Sequence, residues 1–171
     1  MEIIEGTVRN LVEDDESIIR IAHIIHHLQT HESKVPGPLC GGTSRGLFWE
    51  NEYVELVSPE RLEMYINRRM FGKYKGHSFR VEELLLNHND IAPRNIIWMP
   101  DGRISLIDWA HAGYYPWLLE IAILDFNTQA RKDAVFARKL QDELGRSLTV
   151  RERSDVGILC MAWFNGLRYA M

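Results

Sequence analysis

The sequence predicts an α+β fold, mostly helical, with one small β-hairpin past its middle. Three observations predict it. Apolar residues recur at steps of three and four over stretches long enough for helices, and two short apolar runs flank Asp101-Gly102. The composition, 46% hydrophobic and 26% charged, suits a chain that buries a core. At 171 residues, one domain over 1–171 is expected. Twenty Lys and Arg against 24 Asp and Glu give a net charge of −4, which speaks against a nucleic-acid partner. No stretch approaches the ~20 apolar residues of a membrane span, and the richest, Trp117 to Leu124, is interrupted by Glu120. The first residues carry no basic-then-apolar leader. Cys40 and Cys160 have no CxxC spacing and read as free thiols of a reducing compartment. A cytoplasmic protein is the expectation.

Glu2 to Glu5 reads as a short strand closed by Gly6. From Glu16 to His31, Ile18, Ile21, Ile25 and Leu28 share one face of a helix. His23, His26, His27 and His31 take the opposite, solvated face, where a zinc site is the less favoured reading. Pro36, Gly37, Pro38, Gly41 and Gly42 make an irregular loop; with no lysine following, it reads as a connection and not a phosphate cradle. Ser58-Pro59 is an N-cap and first-turn pair opening a helix to about Met70. Val81 to Leu86 suits helix or strand equally. Ile96 to Met99 and Arg103 to Ile107 read as strands joined by a turn at Pro100-Asp101-Gly102. Three helices follow: Trp117 to about Gln129, Asp133 to Leu144, and about Arg151 to the end.

The hairpin carries the chemistry. With Asp101 and Gly102 as its two loop residues, Asn95 and Asp108 stand opposite each other at its open end, Cα atoms roughly 4.5–5.5 Å apart. A carboxylate and an amide oxygen side by side make a site for a hard cation such as Mg²⁺, which takes oxygen ligands and relies on one or two carboxylates plus substrate phosphates. Asp90, five residues before Asn95, adds a second carboxylate to give His-x-Asp-x-x-x-x-Asn. A base for a hydroxyl proton beside two oxygen ligands for Mg²⁺ is what phosphoryl transfer to an alcohol needs.

His88-Asn89-Asp90-Ile91-Ala92-Pro93-Arg94-Asn95-Ile96-Ile97, then Ile107-Asp108-Trp109, Ala112-Gly113 and Pro116, resemble the aminoglycoside phosphotransferase family, of protein-kinase-like fold, and in particular its fungal members. The resemblance implies ATP-dependent transfer to the hydroxyl of a small molecule, with Mg²⁺ as cofactor alongside ATP. It implies that Asp90 is the catalytic base, that Asn95 and Asp108 are the metal ligands, and that His88 braces the catalytic loop. Met1 to Gly6 is similar to the family's hinge. The chain is then expected to be a C-terminal lobe, with the N-terminal nucleotide-binding lobe absent, because the first lysine is Lys34 and no glycine-rich phosphate loop follows a strand. A truncated, catalytically inactive binding module of the same fold is the alternative. A metal hydrolase using His88, Asp90 and Asp108 is a more distant one. The surface that would meet a second lobe offers a route to self-association.

Asn89 departs from the family's commoner Gly, and Ala110 from a commoner acidic residue. Arg94 is open to two readings, a phosphate contact or a solvated or salt-bridged arginine, the second favoured. Trp109, Tyr114, Tyr115 and Trp117 read as packing before they read as a substrate wall. Glu120 and Asp125 would attract a cationic acceptor or, as favoured, serve as a helix contact or cap.

Overall fold

The computed structural model describes residues 5–49, 54–71, 75–128 and 133–168. Among them are five helices: α1 (Asp15–Leu28), α2 (Pro59–Asn67), α3 (Leu118–Thr128), α4 (Ala134–Leu144) and α5 (Val150–Arg168). The fold is α+β, as the pattern of long amphipathic stretches around one hairpin predicts. No described helix is long and apolar enough to cross a membrane. Of the hinge-like segment at 1–6, and of the strand expected in it, residues 1–4 lie outside the described residues.

α1 begins where Asp14 caps it: the carboxylate accepts from the Ser17 amide at 2.8 Å, relieving one of the unbonded N–H groups of the first turn. Ile18, Ile21, Ala22 and Ile25 form its buried face, and the histidine-bearing side is left to solvent. Ser58 caps α2 in the same way, with Pro59 supplying the fixed φ of the first turn. α3 is different in kind. Leu118 to Leu124 are all buried, as are Phe126 and Asn127, so the helix has no solvent face and forms the centre of the molecule. α4 and α5 pack on it, α1 packs on α4, and α2 reaches α5.

The strands are short and form three small sheets. β1 (Thr7–Val8), β6 (Ile96–Trp98) and β7 (Ile104–Leu106) lie in the order β1-β6-β7. β2 (Gly37–Pro38), β8 (Gly113–Tyr115) and β5 (Leu85–Asn87) lie in the order β2-β8-β5, all antiparallel. β3 (Thr43–Ser44) pairs β4 (Val54–Glu55). The ambiguous stretch before His88 thus ends in a strand. β2 approaches β8 closely because Gly113, opposite Pro38, has no side chain: a Cβ there would collide with the carbonyl of Gly37.

The hairpin register differs from the one the sequence suggests. Ile96 pairs with Leu106, Ile97 with Ser105 and Trp98 with Ile104. The Met99 amide donates to Arg103 O, and the Gly102 amide to Met99 O at 3.0 Å. The loop therefore holds three residues, Pro100, Asp101 and Gly102, and Gly102 at φ 85° takes the left-handed position that closes such loops. One additional loop residue shifts the pairing by one. Asn95 faces Ile107, whose amide donates to Asn95 O at 3.0 Å, and Asp108 lies one residue beyond the pairing.

Candidate active site

The segment from His88 to Asn95 leaves the end of β5 and is tied to three other parts of the chain. Asn87 starts it: Nδ2 donates to Leu85 O at 2.9 Å and to Tyr115 O at 3.0 Å, locking the strand end to β8. The next two amides point at α3. The His88 N–H donates to Glu120 Oε2 at 2.7 Å, and the Asn89 N–H lies 3.1 Å from each Glu120 oxygen. Asn89 Nδ2 donates to His111 O at 3.1 Å. His88 Nε2 lies 3.0 Å from Ile107 O. That carbonyl can only accept, so Nε2 carries the proton and the buried Nδ1, with no partner among the described residues, keeps its lone pair. Burial lowers the His88 pKa below its ordinary 6.5, against the Ile107 bond and the carboxylates of Asp90 and Asp108, which favour the charged ring. The ring is therefore neutral, and Trp109 covers it at 4.8 Å between centroids.

Glu120 is the one carboxylate in the all-apolar centre of α3, 1% exposed. Burial lifts its pKa from 4.5 to about 7; the Asn89 and His88 amides oppose this and the Asp90 charge adds to it. Its role is a helix contact of a particular kind, since it satisfies two consecutive loop amides from below. The signal for this is legible in the sequence: a lone carboxylate within an otherwise apolar run must be satisfied by something within the core. Asp125, one helical turn and one residue further, accepts from Gln141 at 3.2 Å and from the Cys160 thiol at 3.5 Å.

Asp90, Arg94 and Asn95 form a second layer toward solvent. Asn95 Nδ2 donates twice to Asp90, to its backbone oxygen at 2.8 Å and to Oδ2 at 2.9 Å. Those bonds orient the amide and leave Oδ1 without a donor among the described residues. Arg94 Nη2 donates to the other carboxylate oxygen of Asp90 at 2.5 Å, and Arg94 Nη1 stands 3.7 Å from Asp133. Arg94 is thus ion-paired with two carboxylates. A single 3₁₀ turn, Pro93–Asn95, makes the arrangement possible by folding residues 94 and 95 back over residue 90.

Asp108 follows Ile107 directly, so the bond from His88 to Ile107 O holds the residue before it. Its side chain is exposed and forms no hydrogen bond or ion pair with any described residue. Its backbone is left-handed, φ 62° and ψ 63°. Asn89 also has φ 62°, and these two are the only non-glycine residues with positive φ among those described. Such backbone costs of order 1 kcal/mol or more and persists where surrounding bonds impose it. The departure at Asn89 has a physical basis here, because asparagine tolerates the left-handed region better than any residue but glycine.

The four aromatic residues divide. Tyr115 is fully buried and its hydroxyl donates to Ser44 at 3.0 Å, and burial pushes its pKa up to about 12. Trp109 is over a third exposed, with Nε1 donating to Leu106 O at 2.9 Å. The loop between β3 and β4 borders the same region: a Cβ on Gly46, at φ 105°, would stand 2.9 Å from the His111 ring.

Asn95 Oδ1 and the Asp108 carboxylate are a neutral and a charged hard oxygen with no hydrogen-bond partner among the described residues, oxygen types that Mg²⁺ takes. No group of three or more His, Cys, Asp or Glu gathers as a metal cage among the described residues. Oxygen ligands from a bound phosphate would complete such a shell. Residues 77–163, just over half of the chain, match the family model described as the phosphotransferase enzyme family, APH. Comparison with curated proteins and with solved structures finds no match.

Proposed function

The chain belongs to the phosphotransferase enzyme family, and from that premise we propose that it transfers the γ-phosphoryl group of ATP to a hydroxyl of a small molecule. Asp90 is the general base, and Asn95 and Asp108 are the ligands for Mg²⁺. The observation that carries this reading is the pair of bonds from Asn95 to Asp90, which orients the carboxylate and at once turns the amide oxygen away for a cation.

In the reaction the acceptor oxygen bonds to the γ-phosphorus as the bond to the leaving ADP breaks, and the hydroxyl proton passes to Asp90. Bound Mg²⁺ supplies neutralisation of phosphate charge, the main electrostatic requirement of such a transfer. His88, neutral and locked by Ile107 and Trp109, does no proton transfer in this scheme and serves to brace the loop. Glu120 holds the loop's first amides so that Asp90 leaves the strand end in one direction.

Calorimetric titration with Mg-ATP, followed by ADP release in the presence of a panel of sugars, amino alcohols and polyols, tests the proposal. The wild-type chain is expected to bind and transfer, and Asp90→Asn to bind while transferring roughly 10²–10⁴-fold more slowly. Failure to bind nucleotide with Mg²⁺ present overturns the reading. Binding with no turnover, indifferent to Asp90→Ala, supports a non-catalytic binding module instead.

A further inference from the structure

The Arg94 guanidinium lies between two carboxylates, Asp90 at 2.5 Å and Asp133 at 3.7 Å. The second oxygen of Asp90 is taken by Asn95 Nδ2 at 2.9 Å. Both oxygens of a single carboxylate are therefore held, from two sides, by residues four and five positions on. From this we infer that Arg94 is a positioning residue for Asp90 and not a contact to phosphate. The inference rests on the reading of Asp90 as the base.

The argument is one of geometry and charge. A carboxylate anchored at one oxygen turns about its Cβ–Cγ bond; anchored at both, it presents its remaining lone pairs in one fixed direction. Misplacement of a reacting group by a fraction of an ångström lowers rate far more than it lowers binding. Arg94 suits the task because its planar fork is held in turn: Asp133, just before α4, lies on the far side of the guanidinium. One positive charge facing two carboxylates has no surplus to offer a phosphate, which would first have to displace the 2.5 Å contact. The Asp90 side chain keeps 17% of its surface exposed, so the clamp leaves an approach open.

Water is an acceptor that needs no identification, so Mg-ATP hydrolysis serves as the kinetic probe. Arg94→Ala is expected to lower kcat roughly 10- to 100-fold while KM for ATP and calorimetric Mg-ATP affinity stay within about twofold. Arg94→Lys, which restores a cationic donor, recovers part of the rate. Weakened Mg-ATP binding at unchanged kcat would make Arg94 a phosphate contact, and no change in either would remove its role; both overturn the inference. A second readout needs no turnover. In Arg94→Ala one Asn95 side-chain amide proton is expected to shift upfield and exchange faster as Oδ2 swings away, and Arg94→Lys to reverse this. Unaltered Asn95 resonances overturn the inference as well. A wild-type chain that hydrolyses nothing yet shows the Asn95 response would count against Asp90 as a base while the clamp itself stands.

Discussion

Between pH 4.5 and about 7 the native chain holds a proton on Glu120 that the unfolded chain has released. Stability then falls as pH rises through that window, by up to about 3 kcal/mol, because ionising the buried carboxyl costs more than the two amides return. His88 acts in the other direction: its lowered pKa means stability is lost as pH falls below 6.5. Glu120→Gln isolates the first effect. The variant is less stable than wild type at pH 5, having lost an acceptor for one loop amide, and the gap narrows by roughly 2 to 3 kcal/mol by pH 8. Urea unfolding of both chains at the two pH values measures it, and a gap that does not change with pH refutes it. At this scale the sequence was most informative about charge. Asp90, Asn95 and Asp108 could be singled out because their types and spacing are unusual together. Which atoms meet could not be read, since the bond from Asn95 back to Asp90 depends on a 3₁₀ turn that Pro93 allows but does not dictate.

At the scale of elements, the helices were legible and the two-residue strands were not. α1 shows four apolar positions on one face and a capping carboxylate, a pattern that 14 residues repeat often enough to read. β2, β3 and β4 have two residues each, fewer than a two-residue period needs to show itself. They form because the chain around them is held: Tyr115 reaches Ser44, and Leu39 N–H reaches Ala112 O at 3.0 Å. The hairpin marks the middle case. Its strands and turn were readable, its register was not, because Pro100-Asp101-Gly102 suits a two-residue or a three-residue loop and only the backbone of Gly102 decides. Gly102→Ala tests that decision. At φ 85° a Cβ is strained, and a loss of about 1 kcal/mol is expected in urea unfolding, with no contact to blame since a Cβ there meets nothing within 4 Å. An unchanged midpoint would mean that the loop adopts another turn.

For the molecule as a whole, α3 is the reference body against which the other parts are placed. It buries nearly every side chain, carries Glu120 under the loop, and meets α4 and α5. An aromatic column extends from it: Phe126 stacks on Trp163 of α5 at 4.0 Å, and Trp163 Nε1 donates to Leu47 O at 2.9 Å, joining the far helix to the segment beside His111. That column was invisible in a sequence where its members lie far apart. The two cysteines sit at opposite ends of this organisation. Cys160 faces α3, its thiol pushed up by burial and by the Asp125 carboxylate; Cys40 is exposed on the turn leaving β2, next to the residue bonded to Ala112. An aromatic disulfide reagent at pH 8 is expected to titrate one thiol per chain rapidly and the second only as α3 and α5 separate in denaturant. Two fast thiols would refute the packing of α5. The turn laid against β8 thereby becomes a place where a single dye can be attached without mutagenesis, a few residues from Asp108 along the bonded strands. Its emission would report ligand arrival before any acceptor is known, and the slow thiol would clock the unfolding of the core in the same sample.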